Sequence, residues 1–133
     1  AVEASTLEPA VTRRLRHVMG ENTRALDAVE ALRDADLAAL GRCMSASHQS
    51  LRDLHEVSTP ALDAVVAAAE SVRGCAGARL VGAGFGGAVA ALVTSAAADE
   101  CRRAMALASD GGSTFELRPS PGVALLSPDV VRG

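Results

Sequence analysis

Residues 77–87 read GARLVGAGFGG and set the architecture of the chain. A short run that is apolar except for Arg79, Ala78–Val81, leads into Gly82–Gly87, a loop with four glycines in six residues, and a second apolar run, Ala88–Val93, follows. Short apolar runs bounded by glycine are typical of buried strands. We therefore predict two strands joined by a glycine loop.

A long helix is predicted near the start of the chain. Pro9 marks its beginning and the Asp34–Asp36 corner its end. Asn22 falls on the apolar face, and we expect it to be a buried amide bonded to a neighbouring element. Apolar or small residues recur there in steps of three and four, which indicates an amphipathic helix: Val11, Leu15, Val18, Ala25, Val29 and Leu32.

Two more helices are predicted before the strands. Asp36 is a suitable N-cap for the second helix. Thr59 and Pro60 suit the N-cap and first turn of the third, and Gly74 lies beyond its end. The expected inward residues are Leu37, Leu40, Met44 and Leu51 in the second helix, and Leu62, Val65, Val66, Ala69 and Val72 in the third.

The pattern after the strands predicts a fourth helix over Ser95–Ala108 and a final strand over Ser113–Arg118. The order is three helices, two strands, a helix and a strand, which is an α+β arrangement. The length of 133 residues predicts a single domain, residues 1–133.

The composition excludes several functions. All thirteen basic residues are Arg, so no lysine can form a Schiff base or bind phosphate in a Walker-type loop. Trp and Tyr are absent and Phe occurs twice, which leaves almost no aromatic platform for nucleic-acid bases. A net charge of −3 also argues against a nucleic-acid partner.

The cysteines and the N-terminal residues bear on location. Three cysteines, widely spaced and without a CxxC motif, favour neither a disulfide framework nor a zinc site, and a reducing cytoplasm is the expectation. The chain begins without a signal-peptide pattern and without Met, as if inside a longer gene product. Leu80–Ala98 is uncharged but poor in strongly apolar residues, so we predict no membrane span.

The glycine loop satisfies GxGxxG through Gly82, Gly84 and Gly87. A dinucleotide-binding fingerprint needs a helix directly after the loop, whereas a strand is predicted here, so that interpretation is disfavoured. Two others remain: a tight connection packed on a neighbouring element, and an anion-binding concavity of backbone amides.

Two histidines could carry chemistry. His48 and His55 lie near several serines and Asp53, which raises the alternatives of a hydrolase or a metal site. The chain has no GxSxG elbow and no third-ligand motif, so we predict structural histidines instead.

Four motifs carry a family resemblance: HVMGENTR at 17–24, SHQSLRD at 47–53, EVSTPALD at 56–63 and GARLVGAGFGG at 77–87. In order and spacing, along residues 8–120, the chain resembles the C-terminal part of the galactokinases, a branch of the GHMP small-molecule kinases.

The resemblance implies helices packed on one face of a small, mainly antiparallel sheet, a ferredoxin-like plait. It implies an ATP-dependent phosphorylation of galactose with Mg²⁺, and it places Gly82, Gly84, Gly86 and Gly87 on the nucleotide-phosphate side. No catalytic residue and no metal ligand is assigned in this chain. The family's N-terminal catalytic domain has no counterpart here, so we expect the chain alone to be inactive and the missing domain to be its partner.

Three positions depart from the family pattern: Val81 where Thr or Ser is usual, Ala88 where Cys is frequent, and His55 where Tyr is usual. Two alternatives stay open, a non-catalytic sugar- or nucleotide-binding module and a GHMP kinase for N-acetylgalactosamine or arabinose. By resemblance, the glycine loop and residues 48–57 should face the interdomain cleft and expose apolar surface.

Overall fold

The computed structural model describes residues 7–118, and in them four helices pack against a two-stranded antiparallel sheet. The α+β prediction is confirmed. The elements are α1 (Pro9–Arg33), α2 (Leu37–Ser50), a π-helical turn (Leu51–His55), α3 (Pro60–Glu70), β1 (Cys75–Val81), β2 (Ala88–Val93), a 3₁₀ turn (Ser95–Ala97) and α4 (Ala98–Ala108).

The predicted helix starts are present. The Asp36 carboxylate accepts a hydrogen bond from the Ala39 amide at 2.8 Å, and the Thr59 hydroxyl accepts one from the Leu62 amide at 3.3 Å. These bonds satisfy amides that have no partner within the helix. Proline stands in the first turn of both α1 and α3, where the missing N–H costs nothing.

The sheet consists of β1 and β2, with Val81 opposite Ala88 at the glycine loop and Gly77 opposite Leu92 farther along. The third predicted strand, Ser113–Arg118, does not form. A strand needs a partner for its backbone groups and a surface for its apolar face. This segment pairs with neither strand, and its apolar residues Phe115 and Leu117 remain about three-quarters exposed.

The buried apolar residues form two clusters, and Val89 of the sheet packs against both. One cluster joins α3, α4 and β1, and the other joins α3, β1 and the turns after α2. Their buried members are Val66, Ala69, Val72, Ala78, Ala97 and Cys101 in the first, and Leu51, Val57, Leu62 and Leu80 in the second.

Helix α2 lies directly on strand β1 because two glycines face each other. A Cβ added at Gly41 would lie 2.1 Å from the Ala76 carbonyl oxygen, and one added at Gly77 would lie 2.1 Å from the Gly41 carbonyl oxygen. Backbone therefore touches backbone at this point, and no side chain fits between the helix and the strand.

Helix α1 is amphipathic as predicted, but its apolar face is turned away from the rest of the described chain. Asn22, expected to be buried, is exposed on that face. Only His17 and Ala31 of this helix are buried. The apolar residues of the predicted seam are instead 40% to 59% exposed: Val11, Leu15, Val18, Val29 and Leu32.

Within residues 7–118, no helix is both long enough and apolar enough to span a bilayer. The uncharged stretch Leu80–Ala98 forms β1's last residues, the glycine loop, β2 and the first turns after it.

The contact between Gly41 and Gly77 gives a stability prediction. Gly41→Ala should lower the free energy of unfolding by about 1–3 kcal/mol, because the new methyl group meets a backbone carbonyl that cannot move without moving β1. Urea unfolding, followed by circular dichroism, measures the change.

The matched control is Gly20→Ala in α1. A Cβ there meets only the end of the flexible Arg24 side chain, at 2.9 Å. We expect this variant to gain up to about 1 kcal/mol from helix propensity. Equal effects of the two substitutions would contradict the proposed contact.

Candidate functional site

The glycine loop Gly82–Gly87 turns the chain between β1 and β2 in a conformation that most residues avoid. Its φ angles are positive at Gly82 (89°), Gly84 (85°), Phe85 (59°), Gly86 (136°) and Gly87 (100°). Only glycine adopts such angles without strain. The glycine content is therefore required by the backbone of the loop itself.

One glycine of the loop is a packing residue. The Phe85 amide donates a hydrogen bond of 2.7 Å to the Val57 carbonyl oxygen. A Cβ at Gly84 would lie 2.3 Å from that same oxygen. This contact fixes the loop against the segment between the π-helical turn and α3, so the interpretation of a tight connection is correct for Gly84.

The other loop glycines face open space. A Cβ at Gly82 or Gly86 would meet no atom within 4 Å, and one at Gly87 would meet only the Val81 carbonyl oxygen at 3.7 Å. Fold packing therefore does not require these positions to lack a side chain. An open, left-handed stretch of backbone is the geometry in which amides can receive an anion.

Phe85 is the loop's unusual residue. It holds a positive φ without being glycine, and the residue is 76% exposed. Bulky residues rarely adopt this conformation, and such strain concentrates at functional sites. In residues 7–118 the loop therefore exposes the apolar Phe85 side chain next to Gly86, beside which the space is open.

A polar network beneath the loop holds α2, α3 and β1 together. The buried His48 ring lies with Nε2 3.1 Å from the Asp63 carboxylate, and its Nδ1 accepts a hydrogen bond from the Leu80 amide at 3.4 Å. The Ser58 hydroxyl donates to the same carboxylate at 2.6 Å. A proton on Nε2 satisfies both ring nitrogens.

This geometry agrees with the prediction of a structural His48. Ser58 is bonded to the carboxylate and not to the imidazole, whereas a nucleophilic serine needs its base at the hydroxyl. His55 does not join His48 either. In residues 7–118 no group of three or more His, Cys, Asp or Glu side chains could hold a metal ion.

His55 instead stacks on His17 of α1. The two rings are 4.6 Å apart at 8° to each other, and His17 Nδ1 lies 2.9 Å from the Ser50 hydroxyl. Burial lowers the pKa of His17, and the positive charges of Arg24 and Arg79 and the neighbouring His55 act in the same direction. The Glu21 carboxylate opposes them without reversing the result.

The inner side of α1 carries a charged cluster that the sequence did not predict. Glu21 accepts hydrogen bonds from Arg24 (2.6 Å) and Ser47 (2.8 Å), and Arg79 of β1 lies 3.8 Å away. Burial alone would raise the pKa of Glu21, but these hydrogen bonds and charges together hold it below its usual value. The sequence signal was the HVMGENTR motif, whose charged residues lie on the face of α1 opposite to its apolar seam.

The expected apolar surface at residues 48–57 is not found. Leu51 and Val57 of this segment are buried in the second apolar cluster. The exposed residues of this segment are polar: Gln49, Arg52, Asp53 and Glu56. The exposed apolar surface lies on α1 and at Phe85 instead.

Residues 28–109 match the family described as GHMP kinases C terminal. This region covers more than half of the chain and includes α2, the glycine loop and α4. The chain belongs to the GHMP kinases, whose C-terminal domain has this fold.

The individual relatives that this chain resembles are galactokinases. The chain is 46% identical over 105 residues to a galactokinase from Haemophilus influenzae and 47% identical over 105 residues to one from Homo sapiens. These matches cover 78% and 79% of this chain, but the chain spans only 27% of the length of each relative.

A solved structure shows the same similarity. The crystal structure of Lactococcus lactis galactokinase complexed with galactose matches with a TM-score of 0.77 and 33% sequence identity. The match covers 82% of this chain and 28% of that one. By fold and by sequence, this chain is similar to the C-terminal part of a galactokinase.

Substitutions at Gly84 and Gly86 distinguish the effect of the Val57 contact from the effect of the positive φ angle. Gly84→Val should lower the free energy of unfolding by about 1–3 kcal/mol, because its positive φ and its contact with Val57 both exclude a branched side chain. Gly86→Val shares the positive φ but meets no neighbour and should cost less. Thermal unfolding of both variants tests this order, and equal losses would show that the Val57 contact is unimportant.

His17 gives a pH prediction. Its pKa is lower in the folded chain than in the unfolded one, so protonation favours unfolding, and stability should fall as the pH drops below about 6.5. His17→Phe should flatten this part of the profile, by at most about 1.4 kcal/mol per pH unit. Urea midpoints between pH 5 and 7 measure both slopes. Parallel profiles would mean that His17 does not titrate differently on folding.

Proposed function

We propose that this chain is the C-terminal domain of an ATP-dependent galactokinase, an enzyme that transfers the γ-phosphoryl group of ATP to the anomeric hydroxyl of galactose. The observation that carries the proposal is the open, left-handed glycine loop within a chain that matches galactokinases in sequence and fold. The fold by itself would not be enough, because function depends on the site.

The glycine loop is proposed to lie on the phosphate side of the nucleotide. Gly82, Gly86 and Gly87 leave room for close approach, since packing does not fill the space beside them. The Phe85 amide is already bonded to Val57, so a phosphate oxygen would be received by neighbouring amides. Gly84 would act by holding the loop in place.

The residues present fit ATP better than Mg²⁺. Backbone amides can receive phosphate oxygens without a lysine, and the chain contains no lysine. Mg²⁺ prefers carboxylate oxygens and substrate phosphates. No cluster of three potential metal ligands occurs in the described part of the chain, so we assign Mg²⁺ no ligand here.

Phosphoryl transfer depends mainly on positioning and on charge stabilisation around the transferred group. The ionisable side chains of the network beneath the loop, His48 and Asp63, are bonded to each other. Their role in the proposal is to position the loop. The groups that bind galactose and move its proton are assigned to the remaining part of the kinase polypeptide.

Galactose is proposed as the substrate because the compared relatives are galactokinases and the matching crystal structure is a complex with galactose. N-acetylgalactosamine and arabinose are the competing sugars. A full-length kinase that contains this domain, assayed with the three sugars in parallel, distinguishes them through kcat/KM.

The chain alone is expected to be inactive. Purified residues 1–133, mixed with ATP, Mg²⁺ and galactose, should form no ADP beyond a control without galactose, because an oriented acceptor and a bound nucleotide are both required. A coupled ADP assay measures this, with the Haemophilus influenzae galactokinase as positive control. Galactose-dependent ADP formation by the purified chain would overturn the assignment of catalysis to the remaining part.

A further inference from the structure

Helix α1 packs on the described chain through its polar side. The residues that face inward are His17, which stacks on His55, and Glu21 and Arg24, which form the charged cluster with Arg79. Farther toward the start of the helix, Arg13 and Arg14 pair with Glu56 at 2.9 and 3.2 Å. Helices in globular proteins normally bury their apolar stripe and expose their polar one. In α1 this order is reversed.

The outward side of α1 is an apolar stripe that is interrupted by the exposed Asn22, and we call this stripe the α1 seam. Its residues recur with helical spacing over 22 positions, a length of about 30 Å at 1.5 Å per residue. Met19 and Leu26 widen it and are 63% and 68% exposed. The seam residues are Val11, Leu15, Val18, Ala25, Val29 and Leu32.

The inward contacts alone hold α1 weakly. Ion pairs between partly exposed side chains contribute about 0–1 kcal/mol each. Most helical stability in proteins comes from packing an apolar face, yet α1 buries only His17 and Ala31. Scattered exposed apolar residues need no explanation, but an exposed apolar stripe of this length on one helix is typical of an interaction surface.

We propose that the α1 seam is the surface on which the remaining part of the kinase polypeptide docks. This inference rests on the proposed function. The galactokinases extend well beyond the region that matches this chain, which is 27% of their length. That length offers a partner for an exposed apolar face of this domain, and in residues 7–118 the α1 seam is the largest group of exposed apolar residues.

The occupant is defined by chemistry. It presents an apolar helix or sheet face about 30 Å long, bordered by polar groups as in other protein interfaces. Docking buries the seam in the intact kinase. It also stabilises α1, and through the His17–His55 stack and the Glu56 ion pairs it stabilises the segment that supports the glycine loop.

The test measures access to the seam in the isolated chain and in a full-length kinase. The full-length protein is a chimera in which this chain replaces the matching region of the Haemophilus influenzae galactokinase. Val18→Cys and Val29→Cys report on the seam. Arg16→Cys and Asp27→Cys, exposed polar positions outside the seam on the same helix, are the matched controls. Maleimide labelling rates are read for each introduced cysteine by peptide mass spectrometry.

We expect the seam cysteines to react at least tenfold more slowly in the chimera than in the isolated chain, and the control cysteines to react at similar rates in both. Equal seam rates in a chimera with a cooperative thermal transition would overturn the proposal. So would seam cysteines that are already protected in the isolated chain when sedimentation shows it to be a dimer, because the occupant would then be a second copy.

Galactose-dependent ADP formation by the chimera tests the proposed function independently of the docking surface. A protected seam without activity would contradict the proposed function and leave the docking surface standing, whereas activity with a free seam would do the reverse. If the chimera does not fold, the natural Haemophilus influenzae galactokinase, with cysteines at the aligned positions, provides the full-length side of the comparison. Unprotected cysteines there would equally overturn the docking surface.

Discussion

The contact between Gly41 of α2 and Gly77 of β1 determines where the other elements lie. At both positions a side chain would collide with backbone at 2.1 Å, so the helix and strand axes lie closer than any larger residue allows. This approach brings His48, two turns farther along α2, within reach of the Leu80 amide on the same strand. The polar network beneath the glycine loop is therefore a consequence of glycine packing.

His48 is connected to the glycine loop through a series of contacts. The ring is held by Asp63 of α3 and Leu80 of β1, and Ser58 is bonded to the same carboxylate. Ser58 follows Val57, whose carbonyl oxygen accepts the Phe85 amide and touches Gly84. A short chain of contacts thus connects the helix–strand contact to the loop. The loop is consequently held on one side and open on the other, the arrangement that the proposed phosphate role requires.

The sequence predicted the parts of this fold that depend on local chemistry. The caps Asp36 and Thr59, the ends of α1 and the bounds of β2 were correct because each is determined by neighbouring residues. Ser113–Arg118 was wrongly predicted as a strand, because alternation cannot supply a pairing partner. The stack of His17 on His55 joins positions 38 apart, and the role of Gly41 depends on Gly77; a single sequence gives no signal for such distant pairs. For the candidate site, the sequence identified the glycine loop but could not separate the packed Gly84 from the open Gly82 and Gly86.

The orientation of α1 shows what hydrophobic periodicity measures. A repeat in steps of three and four predicts a helix with an apolar face, and it predicts that something covers the face. The repeat does not show whether the residues that cover this face belong to the same stretch of chain. In α1 the Glu21 carboxylate of the HVMGENTR motif binds inward because Ser47 and Arg79 offer it partners there, and Arg24 is bonded to Glu21. Those partners fix the rotation of the helix about its axis and leave the α1 seam outward, so the polar contacts specify the direction from which an apolar partner must approach.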